Sequence, residues 1–257
     1  MIAREIAEGN GAIIWDAMPL SYQADINSVV HLFAGKVDAE IYNKSFDLIR
    51  CAIDVADKQK NFILNTKFED KFFTENISML DVSWSSIFSL FKCISSSVIA
   101  DAEGLQSFNG RSFFASTVSR LIGHTKDISL LSVGKIPFEY TSVDLLKSNS
   151  NSTLLRLTYP DGSVIKMEFT NIQGRWIPIY LTDNWTNTIS EIKKKIEAIN
   201  PEYVTKNKSH LTTLIAMLDN ALKQIENAEN QVQFDRSVQR VMIPLMRLLL
   251  VPSEMEN

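Results

Sequence analysis

Residues that commonly bind metals or act as nucleophiles are scarce in this sequence. Its 257 residues include two cysteines and three histidines, and neither their number nor their spacing matches a zinc site. Cys51 and Cys93 fall within helical patterns, so we expect both to be small buried apolar side chains. A disulfide between two packed helices is the alternative, and it requires an oxidising compartment. We predict no metal site and no cofactor.

Recognised catalytic motifs are missing as well. The sequence has no Gly-rich phosphate loop, no G-x-S-x-G elbow, no H-E-x-x-H pair and no EF-hand ligand series. His31, His124 and His210 each lack a serine, cysteine or carboxylate at a spacing typical of a catalytic group. This pattern favours a non-enzymatic protein and leaves enzymatic activity open.

The sequence also lacks long apolar runs and any excess of basic charge. No segment approaches the roughly 20 uninterrupted apolar residues of a membrane-spanning helix. No apolar signal core follows Met1, so we expect either a cytoplasmic protein or a mature form whose export signal has been removed. The net charge of -4 argues against a nucleic-acid partner, which normally selects for a basic face.

The most informative feature is a stretch in which apolar and polar residues alternate. Two turns, Pro160–Gly162 and Asn171–Gly174, separate segments with the period of strands that bury one face. The polar run Lys147–Thr153 suits a hairpin connection, and an earlier strand is predicted around Tyr140 and Ser142. Together these segments predict a four-stranded antiparallel meander.

The rest of the chain carries apolar residues at helical spacing. One helix is expected to start at an N-cap, Asp38, and to run to about Asn65. An irregular segment is predicted for residues 66–81, a helix end at Gly123, and a helix start capped by Thr182 or Asp183. Three further apolar seams predict a helical hairpin and a third helix, with a kink or restart at Pro244; they begin at Trp185, Leu211 and Phe234.

These patterns define an α+β protein that is mostly helical. The antiparallel meander occupies about residues 136–181 and packs against helices, because its apolar face needs cover. We expect a helical region over residues 1–125. The sheet, the hairpin and the third helix follow over residues 126–257, and we expect the two regions to form one continuous unit or two tightly docked subdomains.

Aromatic residues near the sheet are the best candidates for a binding site. Trp176, Tyr140 and Tyr159 are predicted ligand-binding residues, because a curved sheet closed by helices commonly leaves a pocket. The alternative is that Trp176 closes the open end of the sheet. In that case Trp176→Ala is expected to cost about 3–5 kcal/mol of stability, as for a large buried aromatic.

The run from Asp161 to Pro178, which ends in Gly174-Arg175-Trp176, resembles a pattern in exported proteins of Gram-negative bacteria. These are uncharacterised periplasmic or lipoprotein-type proteins with an NTF2-like or related α+β sheet. The opening segment from Ala12 to Gln23 also resembles the start of a mature region in envelope proteins. The resemblance implies an exported, envelope-located binding protein.

Two functional hypotheses follow from these observations. The first is a non-enzymatic binding or accessory protein of the bacterial envelope, periplasmic or anchored, whose partner is another envelope protein. The second is a carrier or enzyme that holds a small apolar or amphipathic ligand between sheet and helices. This second hypothesis rests on analogy of fold.

Overall fold

The structure, a computed structural model, describes residues 2–66, 71–125 and 142–250. It is mostly helical and contains one four-stranded antiparallel sheet, which confirms the predicted α+β class.

The helices before the sheet are α1 (Ile2–Ala7), α2 (Ala12–Ala17), α3 (Leu20–Ala34), α4 (Ala39–Lys58), α5 (Lys60–Asn65), α6 (Lys71–Ser95), α7 (Ala102–Gln106), α8 (Gly110–Phe113) and α9 (Ser119–Thr125). A 3₁₀ turn covers Val98–Ala100, and a π-helical turn covers Phe114–Val118. The strands are β1 (Ser142–Ser148), β2 (Ser152–Thr158), β3 (Val164–Ile172) and β4 (Arg175–Pro178). The later helices are α10 (Ile179–Thr182), α11 (Trp185–Glu197), α12 (Pro201–Lys206), α13 (Lys208–Glu226) and α14 (Gln231–Leu250).

Local sequence signals explain the start of α4 but not its end. The Asp38 carboxylate accepts a hydrogen bond from the Ile41 backbone N–H at 3.1 Å, which confirms the predicted N-cap. The predicted single helix is instead divided at Gln59 into α4 and α5. The side chain of Gln59 contacts the end of a distant helix, and local sequence patterns do not reveal such a contact.

Other helix limits differ from the predictions for local reasons. α6 begins at Lys71, so much of the predicted irregular segment is helical. α9 continues past Gly123 to Thr125, because this glycine lies in the body of the helix and does not adopt the positive φ of a helix-ending residue. α11 starts at Trp185 with Asn184 as its N-cap, since the short helix α10 intervenes. α14 is assigned as one helix through Pro244.

The sheet is a simple meander in the order β1-β2-β3-β4. The β1–β2 connection falls within the predicted polar run, but residues 147–148 and 152–153 belong to the strands. The Asn149 side chain accepts hydrogen bonds from the backbone N–H groups of Asn151 and Ser152. Between β3 and β4, Gln173 and Gly174 both have positive φ, as a two-residue hairpin turn of type I′ requires. The part of the predicted first strand around Tyr140 lies outside the described residues.

One face of the sheet is apolar, and helices cover part of it. Cross-strand pairs place its central side chains together: Leu155 opposite Met167, and Leu157 opposite Ile165. Leu157 is buried and the other three are half-buried. The short helix α10 contacts β3 and β4. The turn between those strands is tied to the helical body, because the side-chain oxygen of Gln173 accepts a hydrogen bond from the Ser21 backbone N–H.

The C-terminal helices pack on the N-terminal ones. α11 lies against α3, while α13 lies against α4 and α14. The two predicted hairpin helices, α11 and α13, therefore make their main contacts with other helices. The division of the chain near residue 125 stays a prediction.

Close packing fixes the N-terminal helices. Trp15 is buried, and its indole ring lies directly against Gly110 at the start of α8. An added Cβ at Gly110 would lie 2.0 Å from the Trp15 ring, so only glycine fits. The Gly110 backbone N–H donates to the Asn27 side chain of α3 at 2.9 Å, which fastens a third helix to this contact.

Candidate functional site

Two of the three predicted binding residues fall at separate points of the sheet. Trp176 lies on β4 opposite Asn171 and is 43% exposed. Tyr159 is half-buried at the end of β2, where its backbone N–H donates to the Ser163 carbonyl. Tyr140 lies outside the described residues. The Trp176 side chain is therefore a surface group. Because it is partly exposed, we expect its removal to lower the free energy of unfolding by less than the removal of a buried tryptophan would.

A cluster of exposed apolar side chains extends from Trp176 into the next helix. Ile179, Tyr180 and Leu181 are all exposed, and Tyr180 is 60% exposed. We call these three residues and Trp176 the β4–α10 patch. Sequence patterns placed 179–181 at the end of the sheet, whereas the chain turns into helix directly after Pro178. A proline before the first helical turn was the signal that could have revealed this change.

A second candidate is a groove of about 560 Å³ between α3 and α11. Its walls combine charged groups, hydroxyl groups and one isoleucine: Asp25, Thr186, Ile189, Ser190, Lys193, Lys194 and Glu197. The regular spacing of α11 brings 186, 189, 190, 193, 194 and 197 to one side of the helix. The groove is open to solvent and mixed in charge.

Asp25 is the best-positioned side chain in this groove. The Trp185 indole N–H donates to one of its carboxylate oxygens at 3.0 Å, and the Lys193 ammonium lies 3.6 Å from the other. Tyr22 stacks on Trp185 with ring centroids 4.0 Å apart and planes within 6°. Burial, together with the negative charge of Asp25, raises the pKa of Tyr22. This network fixes α3 to α11.

Sequence reasoning identified Trp185 as the first residue of a buried seam. It is half-buried, and its indole N–H makes the polar contact that joins the two helices. Asp25 and Lys193 were not singled out, because they lie far apart in sequence and form no motif. The groove presents lysine ammonium groups, hydroxyls and carboxylates that can bind a small polar or amphipathic ligand.

Both cysteines are free thiols. Cys93 is buried, with its Sγ 3.8 Å from the Thr117 carbonyl oxygen. Cys51 is half-buried, and burial followed by the nearby Asp219 carboxylate raises its thiol pKa. A raised pKa keeps the thiol protonated and poorly nucleophilic. Among the residues described, no three His, Cys, Asp or Glu side chains are grouped to hold a metal ion.

One helical segment in the described part of the chain, Ile77–Ser95, is long and apolar enough by length and composition to cross a membrane. Core helices of soluble proteins, which are mostly buried, pass the same test, whereas 22% of this apolar window is buried. The segment is also held by ion pairs, Lys60–Asp81 at 2.6 Å and Lys92–Asp57 at 2.7 Å. The hydrogen bond from Lys92 is the main cause of the lowered pKa of Asp57.

No family model, curated protein or solved structure matches this chain.

Proposed function

We propose that the protein is a non-enzymatic binding or accessory protein of the bacterial cell envelope. In this proposal it contacts another envelope protein through the β4–α10 patch. The observation that carries the proposal is the concentration of four large exposed apolar side chains within six consecutive residues, 176–181.

The composition of this patch suits a protein partner. Apolar patches on a protein surface commonly mark interaction sites. Tryptophan and tyrosine are enriched in such interfaces, because each buries a large apolar area and keeps one polar group for hydrogen bonding. Trp176 and Tyr180 supply both kinds of contact, and the hairpin and α10 hold them on ordered backbone.

The resemblance of the meander to exported Gram-negative proteins supports the envelope location. Its closing Arg175-Trp176 pair lies at the start of β4, and Trp176 is part of the proposed contact surface. The location is tested by fractionating cells that express the full-length gene product from its own promoter. Recovery in the periplasm or the membrane fraction is expected, and recovery in the cytosol alone would contradict the envelope assignment.

The contact surface is tested with a photo-crosslinking amino acid at Tyr180 in the same cells. Tyr203 of α12 is a matched control, since it is also a tyrosine and is 58% exposed but lies outside the patch. We expect a discrete protein adduct from position 180 and none from position 203. Equal labelling at the two positions, or none at 180, would count against the patch as the contact surface.

The groove between α3 and α11 favours a second function, as a carrier of a small amphipathic ligand. Its lining offers Lys193 and Lys194 to an anionic group and Ile189 to an apolar one. Medium-chain fatty acids and apolar amino acids are suitable probes, with the melting temperature as readout. A rise in melting temperature that disappears in Lys194→Ala is expected for this function, and the absence of any rise would remove it.

A further inference from the structure

The strand β1 forms one edge of the sheet and is unusually exposed. Six of its seven residues are exposed, and among the described strands only β2 pairs with it. Three of the exposed side chains are large and apolar: Val143, Leu145 and Leu146, of which Leu145 is 64% exposed. An open strand edge presents unpaired backbone N–H and C=O groups, so it can accept another strand.

A bulge in β1 arranges its charged residues in a specific way. Asp144 pairs with Arg156 and Leu145 with Leu155, but the next paired residue is Lys147, opposite Leu154. Since side chains at positions 154 and 156 of β2 point to the same face, Asp144 and Lys147 also share a face. Without the bulge, these two charges would lie on opposite faces of the sheet.

We propose that a second copy of this chain pairs with β1 in antiparallel orientation, joining two sheets into one of eight strands. The two-fold axis passes between Leu145 and Leu146. Asp144 then lies opposite Lys147 of the partner subunit, and the symmetry repeats this pair. Directly opposed residues must share a face, and the bulge satisfies this condition for the two charges.

Charge and apolar surface both support a second copy as the occupant. Opposite charges on facing strands stabilise pairing, and like charges oppose it. The apolar face of each sheet would continue across the interface, because Val143 and Leu145 pair with Leu157 and Leu155. Bulges and lysines are also known to protect edges from pairing. Protection of the edge, however, does not explain why β1 exposes three large apolar side chains.

The proposal goes beyond the proposed function, since it uses the edge of the sheet opposite β4. Sedimentation analysis of the wild-type protein over a concentration series is expected to show a monomer–dimer equilibrium. Lys147→Asp should weaken the dimer roughly tenfold, because each of the two symmetry-related pairs of opposite charges then becomes a pair of opposed carboxylates. The double variant Asp144→Lys/Lys147→Asp should restore wild-type affinity, since it exchanges both charges.

The double variant also separates this pairing from a contact within one chain. Asp144 forms an exposed ion pair with Arg156 of the same chain at 3.1 Å. The double variant removes this ion pair, because it replaces Asp144 with lysine. Restored dimerisation therefore reports on the contact between subunits alone. Lys206→Asp is the matched control, because Lys206 is an exposed lysine of α12 outside the sheet, and it should leave the dimer unchanged.

Circular dichroism of each variant shows whether it is folded. If a charge variant fails to fold, zero-length carboxyl–amine crosslinking of the wild-type protein replaces it, and a link between Asp144 and Lys147 of the partner subunit is expected. A wild-type monomer at every concentration, a double variant that stays monomeric while folded, or the absence of this link from a dimer would overturn the proposal.

Discussion

Gln59, at the break between α4 and α5, provides the sharpest test of how the C-terminal helices are held. Gln59 is 5% exposed, and the two N–H groups of its side-chain amide are shared among three backbone carbonyl oxygens. They belong to Ile225 at 3.0 Å, Glu226 at 2.7 Å and Ala228 at 3.2 Å, where α13 ends. A helix end leaves such carbonyls without partners inside the helix. Gln59 therefore serves as a C-cap supplied by a distant segment.

Methionine is a suitable replacement, because Gln59→Met keeps the length of the side chain and removes its amide group. The Ile225 carbonyl also accepts the Ala228 backbone N–H at 3.1 Å, so it keeps a partner. The carbonyls of Glu226 and Ala228 lose the Gln59 donor. A polar group left unpaired in a buried place costs about 1–3 kcal/mol. For two carbonyls, one of them near solvent, we expect a loss of about 2–4 kcal/mol in the free energy of unfolding.

Urea unfolding followed by far-ultraviolet circular dichroism measures this loss as a lower midpoint at unchanged slope. Gln224→Met is the control, since Gln224 is an exposed glutamine on the same helix, α13. It should change stability by less than about 0.5 kcal/mol. Equal midpoints for the two variants would refute the role assigned to Gln59.

Four further substitutions test other parts of the structure. Gly110→Ala forces a methyl group against the indole ring of Trp15 and should lower the free energy of unfolding by about 1–3 kcal/mol. Gly123→Ala has open space around the added carbon, so it should stabilise α9 by about 0.5–1 kcal/mol. Calorimetric melting temperatures should move in opposite directions. Hydrogen bonds from Lys208 and then Lys44 lower the pKa of Glu40 to about 2, so its stabilising contribution is complete above the ordinary value of 4.5 and disappears as the pH falls towards 2. Lys208→Met should therefore reduce the loss of stability over this range, and an unchanged acid profile would contradict the assignment. Trp176→Ala should cost only about 1–2 kcal/mol, less than the 3–5 of a buried aromatic; a larger loss in urea unfolding would show that Trp176 is structural.

Short-range chemistry in the sequence was sufficient for the central part of the sheet. β2 and β3 were predictable, because a strand that buries one face must alternate its side chains, and the turn residues Gly162 and Gly174 adopt the positive φ that glycine tolerates. The start of α4 was predictable for a similar reason, since the Asp38 cap acts on a backbone N–H three residues away. These signals operate within a few residues of each other.

The sites depended on contacts between distant residues. The Trp185–Asp25 hydrogen bond joins positions 160 apart, and the Gln59 amide reaches carbonyls more than 160 positions away. Neither contact has a sequence pattern, because each arises only when α11 packs on α3 and α13 packs on α4. The exposure of Trp176 likewise depends on which helices cover the sheet. The sequence by itself determined the elements whose hydrogen bonds and turns are local, while tertiary packing decided which side chains meet in a groove and which apolar ones stay at the surface.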